Sequence, residues 1–258
     1  MAPSFLESAR RRLRRAEPAA ADGPPRPDLS EIGEENHAIV ERAFPYTMTG
    51  VLRLDATVRA VRYCVARDVP GAFVECGVWR GGSVLAMLLT LQELGVDDRE
   101  VYLFDTFEGM TEPTEHDTTD YEKPAIETWE ESKARGERPW AGVFGADVFD
   151  ENSVRESVLQ SGYPAERVHL VKGPVEETVP GAAPERIALL RLDTDWYEST
   201  RHELIHLYPR LIDAGVLIID DYGHWQGARR AVDEYFGTEA PPLLLNRIDY
   251  TGRIAIKH

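Results

Sequence analysis

Two apolar runs in this chain end abruptly in paired acids. Ala188-Leu189-Leu190-Arg191-Leu192 leads into Asp193-Thr194-Asp195, and Val216-Leu217-Ile218-Ile219 leads into Asp220-Asp221. A short, nearly uninterrupted apolar run reads as a parallel strand buried on both faces. Open α/β sheets place their sites at the carboxyl ends of such strands. Carboxylates converging on one edge repel one another unless a cation lies between them. Oxygen donors of this kind suit Mg²⁺, which keeps coordination positions for water or substrate oxygens. Asp193, Asp195, Asp220 and Asp221 are therefore candidate metal ligands, although Asp in such positions also caps the helix that follows.

A second constellation, Ala72-Phe73-Val74-Glu75-Cys76-Gly77-Val78-Trp79-Arg80-Gly81-Gly82-Ser83, reads as strand, glycine turn and helix start. Glycine admits backbone conformations closed to other residues and lets a ligand approach closely. The opening helical turn offers free N–H groups and the positive end of a dipole, suited to a carboxylate or phosphate. Its spacing is G-x-x-x-G-G rather than G-x-G-x-x-G, which speaks against a dinucleotide pyrophosphate. Val101-Tyr102-Leu103-Phe104-Asp105 is a further buried strand ending in an acid, where a carboxylate can accept bonds from ribose hydroxyls.

These groups need a frame. Val58, Val61 and Val65 recur at helical intervals between Asp55 and Arg67, and helices are also expected over Gly81 to Leu94, Ser153 to Gln160, Glu198 to Leu211 and Gln226 to Phe236. Val168 to Gly173 reads as a strand, and Leu243 to Ile248 with Arg253 to Lys257 as a closing hairpin around Thr251-Gly252. The alternation specifies an α/β fold, a doubly wound, mostly parallel sheet with right-handed crossovers and one antiparallel strand from the C-terminal hairpin. Residues 1–40 form an expected variable arm, with Arg10, Arg11, Arg12, Arg14 and Arg15 on a short helix and an Ala-Pro-rich linker from Pro18 to Pro27. Residues 41–258 form one domain, interrupted over 110–152 by an acidic, aromatic insertion that includes His116, Asp117, Tyr121, Trp129, Trp140 and Phe144. A long connection of this kind is a lid or binding loop, or its aromatics pin it to the core.

The segments V-E-C-G-V-W-R-G-G-S, F-D-T-F-E-G-M, L-R-L-D-T-D-W-Y-E-S-T and Y-P-R-L-I-D-A-G-V-L-I-I-D-D-Y together resemble the macrocin O-methyltransferase family, from about Tyr46 to the C-terminus. The resemblance implies a Rossmann-like class I methyltransferase that uses S-adenosylmethionine and Mg²⁺. The implied acceptor is a hydroxyl on a deoxysugar of a bacterial natural product such as a macrolide-type antibiotic, and the implied assembly is a homo-oligomer. Carried onto matching residues, the family's roles make Asp220 and Asp221 metal ligands. The third ligand and the base fall to Asp195 or Asp193, which strand alternation points in similar directions; Asp195, farther past the strand end, is favoured. Glu75, Gly77, Trp79, Arg80, Gly81, Gly82 and Ser83 would surround the amino-acid part of the cofactor. Asp105 would hold its ribose, with Thr106 and Phe107 near the adenine. Asp55 is expected to reach the cofactor, and Tyr46, Thr47 and Met48 to line the acceptor pocket. The chemistry is coherent: a sugar hydroxyl must lose its proton to attack a methyl group, which a metal and a nearby carboxylate together promote.

The net charge of −16 argues against nucleic acid, and no apolar run approaches membrane-spanning length. Cys64 and Cys76 are too few for a disulfide framework, so a cytoplasmic setting is expected, with Cys76 a packed thiol. His202-Glu203-Leu204-Ile205-His206 matches the H-E-x-x-H pattern of zinc proteases. Its place on a helix between parallel strands opposes that reading, and His224, just after Asp221-Tyr222-Gly223, is the better substrate contact. Rival functions are a glycosyltransferase using Asp193-Thr194-Asp195, a nicotinamide-linked reductase, and a non-catalytic binding module of the same fold.

Overall fold

A computed structural model describes residues 27–145 and 148–258; the arginine-rich and Ala-Pro-rich parts of the expected arm lie outside them. The apolar runs become strands β1 (Ala72–Cys76), β2 (Val101–Asp105), β3 (Val168–Lys172), β4 (Ile187–Leu192) and β5 (Leu211–Ile219). Two short strands follow, β6 (Asn246–Arg247) and β7 (Arg253–Ile256). They form one seven-stranded sheet in the order β3-β2-β1-β4-β5-β7-β6. The first five are parallel, while β7 runs antiparallel to β5 and β6 antiparallel to β7. The terminal hairpin thus contributes two antiparallel strands rather than one. The chain winds outward from β1 in one direction and from β4 in the other, so the crevice between them is the switch point of a doubly wound sheet.

Among the described residues the helices are α1 (His37–Ala43), α2 (Val51–Ala66), α3 (Gly82–Glu93), α4 (Ala125–Ala134), α5 (Ala141–Phe144), α6 (Glu151–Leu159), α7 (Val175–Thr178), α8 (Tyr197–Leu207) and α9 (Gln226–Glu234). The expected helix to Phe236 changes after α9 into a wider π turn over Tyr235–Glu239. Alternation along each strand sorts side chains to opposite faces. Phe73, Leu189, Val216 and Ile218 join the core under α2 and α3. Val74, Cys76, Leu190, Leu192, Leu217 and Ile219 join a second core with Leu204 and Leu207 of α8 and Val232 of α9. Glu75 and Arg191 fall in the first set by register, so both charges lie on the α2 side of the sheet. Helix α1 packs Ile39, Val40 and Ala43 onto Leu85, Ala86 and Leu89 of α3; the packed fold therefore begins ahead of residue 41.

The insertion is built into this core. Trp129, Trp140, Trp196 and Trp225 make a chain of neighbouring rings, with centroids 6.3, 5.8 and 5.0 Å apart. The Trp196 indole N–H donates to the Thr111 carbonyl at 3.1 Å, and the Trp79 indole to that of Val143 at 3.0 Å. Asp117, fully buried, accepts from the N–H of Tyr197 at 2.7 Å and so caps the start of α8. The aromatics of the insertion thus pin it to the sheet, while Met110, Thr111 and Phe144 face the cleft. Both cysteines are buried free thiols, and burial pushes Cys64 up to about 12. No helix among the described residues is long and apolar enough to cross a membrane.

Candidate active site

Backbone register brings the acids together. Beyond the last ladder pairs, the Asp193 N–H donates to the Cys76 carbonyl at 2.8 Å and the Asp220 N–H to the Leu192 carbonyl at 2.9 Å. The acid turns after β4 and β5 therefore lie side by side, next to the glycine turn after β1. At Gly77 the backbone takes φ +78°, and a Cβ there would stand 1.9 Å from the Asp193 carbonyl oxygen. Only glycine lets these two turns approach so closely. They open into one cleft of about 270 Å³ at the carboxyl edge of the sheet.

Asp193, Asp220 and Asp221 each offer a carboxylate oxygen within 4.8 Å of the others. Asp195 is not one of these three, although its carboxyl contacts that of Asp221. Its backbone is left-handed, φ 68°, and its Oδ1 accepts from the Trp225 indole N–H at 2.7 Å. The expectation that Asp193 and Asp195 point alike is thus corrected, because the strand ends at Leu192 and the turn at Asp195 breaks the alternation.

Two arginines enter the acid cluster. Arg191, with no exposed surface, donates through Nη1 to Glu75 Oε1 at 2.5 Å and to Asp193 Oδ2 at 2.6 Å, and through Nη2 to Asp220 Oδ1. Arg53 of α2 donates through Nη1 to Asp220 Oδ2 and through Nε to Asp249 Oδ2 at 3.0 Å. Thr49 adds a hydroxyl to Asp220 Oδ1 at 3.2 Å. Burial pushes the Asp220 carboxyl up, but Arg53 and Arg191 outweigh it and hold the group below its ordinary value. Asp221 and Asp195 have no arginine partner of that kind: burial above all pushes both well above the carboxylate range, reinforced at Asp195 by the charges of Asp193 and Asp220 and at Asp221 by those of Asp195, Asp193 and Asp220. Withdrawal from solvent lifts Asp193 to about 6 and Glu75 to about 8, against the pull of Arg191. Glu75 Oε2 is buried without a hydrogen-bond partner in this cleft.

The remaining expected residues divide. Gly77, Trp79, Ser83, Asp105, Thr106, Met48, Thr47 and His224 line the cleft with Glu75 and the aspartates. Asp105 is tied to its surroundings: Oδ2 accepts the N–H groups of Val78 and Trp79 at 2.6 and 3.0 Å, and Oδ1 that of Phe107 at 2.7 Å. It thereby locks the glycine turn to the end of β2. Arg80, Gly81, Gly82, Phe107 and Tyr46 support the turn without lining the cleft. Gly81, at φ +84°, caps α3, and a Cβ at Gly82 would meet the Tyr46 carbonyl at 2.7 Å. The Arg80 guanidinium lies over the Tyr46 and Trp79 rings, and Phe107 is core. Asp55, expected to reach the cofactor, instead accepts from Asn36 Nδ2 at 2.7 Å and does not line the cleft.

His224 stacks on Tyr121 at 5.2 Å, and its Nδ1 lies 3.3 Å from the Tyr250 hydroxyl. In the H-E-x-x-H string, Glu203 is fully buried and accepts from Thr194 Oγ1 at 2.9 Å, whereas His202 Nε2 lies 2.9 Å from the Val179 carbonyl. A zinc centre there has no support. Arg53, Arg191, Thr49, Asp249 and Trp225 were missed by sequence reasoning. Only Arg191 left a signal, a charge inside an otherwise apolar strand, which must be paired to be buried.

A doubly wound sheet with an antiparallel terminal hairpin, a glycine turn after β1 and a carboxylate cleft beside it define a class I methyltransferase, dependent on S-adenosylmethionine. The family model Macrocin-O-methyltransferase (TylF) matches residues 31–254, and the chain belongs to that family of O-methyltransferases. Among its relatives, 8-demethyl-8-(2,3-dimethoxy-alpha-L-rhamnosyl)-tetracenomycin-C 4'-O-methyltransferase of Streptomyces olivaceus is 34% identical over 232 residues, 90% of this chain and 81% of the relative. Mycinamicin III 3''-O-methyltransferase of Micromonospora griseorubida is 32% identical over 216 residues, 81% of this chain and 75% of the relative. The solved structure of the O-methyltransferase NovP superposes with a TM-score of 0.71 at 26% identity, covering 98% of this chain and 96% of that one. The chain is therefore an enzyme, and the glycosyltransferase, reductase and binding-module readings are set aside.

Proposed function

We propose that this enzyme methylates a hydroxyl of a deoxysugar carried by a glycosylated natural product, with S-adenosylmethionine as donor and Mg²⁺ at Asp193, Asp220 and Asp221. The observation that carries the reading is that those three carboxylates meet in the same cleft as the glycine turn, with Asp195 close by and outside their group. The Streptomyces olivaceus relative, whose name specifies 4'-O-methylation of a rhamnosyl tetracenomycin, supports the acceptor class.

The residues fit the metal. The carboxyls of Glu75, Asp193, Asp195, Asp220, Asp221 and Asp249 outnumber the guanidiniums of Arg53 and Arg191, and a dication would offset the excess. Held there, Mg²⁺ supplies the charge that keeps neighbouring carboxyls ionised and lowers the pKa of an acceptor hydroxyl. S-adenosylmethionine supplies an electrophilic methyl group on a sulfonium, released as the thioether once an oxygen displaces it. The chain does the rest. Glu75 Oε2, buried and unpartnered, suits the ammonium of the cofactor's amino-acid part, and the Gly77–Ser83 turn its close approach. Asp105, already fixed by three backbone N–H groups, would present its remaining acceptor capacity to the ribose. Asp195, oriented by Trp225, takes the acceptor's hydroxyl proton onto its carboxylate as general base. Met48 and His224 bound the space where the acceptor must lie.

The test is turnover of a rhamnosyl natural product with S-adenosylmethionine, in chelator and with added Mg²⁺. Activity that appears only with Mg²⁺ is expected. Full turnover in excess chelator, or none on any glycosylated acceptor with the cofactor bound, would overturn the metal or the acceptor part respectively.

A further inference from the structure

Asp220 is the one member of the acid triad whose two oxygens are both held by guanidiniums, Oδ1 by Arg191 and Oδ2 by Arg53. The two arginines are held differently. Arg191 rises from the next-to-last residue of β4, wholly buried, and its two partners on Nη1 belong to β1 and to the turn after β4. Arg53 reaches in from α2, lines the cleft, and has a second carboxylate already in hand, Asp249. Asp249 is a fixed anchor: its Oδ1 accepts the N–H groups of Thr251 and Gly252 at 2.9 and 2.7 Å, in the turn of the β6–β7 hairpin. Gly252 is what gives the arginine room. A Cβ there would stand 2.9 Å from Arg53 Cδ and 3.0 Å from Cγ, and its φ is not one that requires glycine.

We propose that Arg53 is a resident counter-cation of the metal site. It neutralises Asp220 while no ion is bound and gives up Asp220 Oδ2 to an incoming divalent cation, remaining tethered to Asp249. A carboxylate oxygen engaged with a guanidinium on the cleft side has less to offer a metal, and a fixed positive charge beside a cation site opposes occupancy. Arg53 therefore sets how tightly the metal binds, and Asp249 sets how readily Arg53 lets go. The inference rests on the metal reading above, and the same two carboxylates and one arginine give it two tests of opposite sign.

The experiment is Mn²⁺ binding to the full chain, followed by electron paramagnetic resonance of the free ion, without cofactor or acceptor. Arg53→Met, which keeps the stem and removes the charge, should bind Mn²⁺ about tenfold more tightly than the unmodified chain. Arg53→Lys should return the affinity most of the way. Asp249→Asn, which leaves Arg53 with Asp220 alone, should weaken binding several-fold. Thermal unfolding of each variant accompanies the titration, and the Asp249→Asn arm stands should Arg53→Met fail to fold. Unchanged or weaker binding by a folded Arg53→Met, or tighter binding by Asp249→Asn, overturns the counter-cation role while leaving the metal site intact. An unmodified chain that binds no Mn²⁺ overturns the metal reading itself, and the proposal with it.

Discussion

At Asp195 the backbone turns through a left-handed φ of 68°, a conformation that costs a non-glycine residue on the order of 1–3 kcal/mol and persists only where its surroundings fix it. The Trp225 indole, reaching across from the start of α9, is part of that fixation. The result distinguishes two carboxyls that are only two residues apart: Asp193 joins Asp220 and Asp221, while Asp195 is bonded to the Trp225 indole at the edge of that group, against Asp221, with its proton affinity raised by burial. Asp195→Asn should lower kcat by about 100- to 10,000-fold, the range expected for loss of a general base. Affinity for S-adenosylhomocysteine, read by calorimetry, should stay where it was. A variant that keeps its turnover would move the base elsewhere.

The strand ends and the turns after them carry the site, so their backbone tolerances are narrow. The Gly77 turn lies directly against the Asp193 carbonyl, and an added methyl group would occupy the same space. Gly77→Ala should therefore force the cofactor turn away from the acid turn, with loss of S-adenosylhomocysteine binding and a destabilisation of at least about 1–3 kcal/mol from the disfavoured φ alone. Normal affinity in a calorimetric titration of that variant would show that the turns need not touch. The tryptophan chain plays a comparable part for the insertion. It places Met110, Thr111 and Phe144 along the cleft while the helices α4 and α5 stay outside the sheet.

An acidic chain that gathers a further excess of carboxyls in one buried cleft must be most at ease when some of them are protonated or neutralised. Glu75 rises from 4.5 to about 8 and Asp193 from 3.8 to about 6, chiefly through burial. Raised values mean that the folded chain binds more protons than the unfolded one across those windows. The associated stability is fully present below the unfolded values, declines as pH climbs above about 4 and is gone above about 8. In chelator the melting temperature should thus fall between pH 6 and pH 8, and Mg²⁺ should raise it more at pH 8 than at pH 6. Differential scanning fluorimetry across that range is the check. A metal-free melting temperature that climbs with pH, or a Mg²⁺ effect equal at both values, would contradict the charge balance described above.

Much of this architecture is written locally. Apolar runs ending in acids, a glycine turn before a helix, and strands alternating with helices follow from side-chain periodicity, and they were enough to place Asp193, Asp220 and Asp221 on one edge and Gly77 beside them. Other features depend on partners far away in the chain, where periodicity carries no information. Asp55 sits in the same helix as Arg53, yet the packing of α1 turns the first away and the β6–β7 hairpin draws the second into the cleft. Trp225 and the left-handed turn distinguish Asp195 from Asp193. Strand register across the sheet brings Glu75, Arg191 and Asp220 into contact, because hydrogen-bonded ladders and close packing fix distances that sequence spacing leaves open.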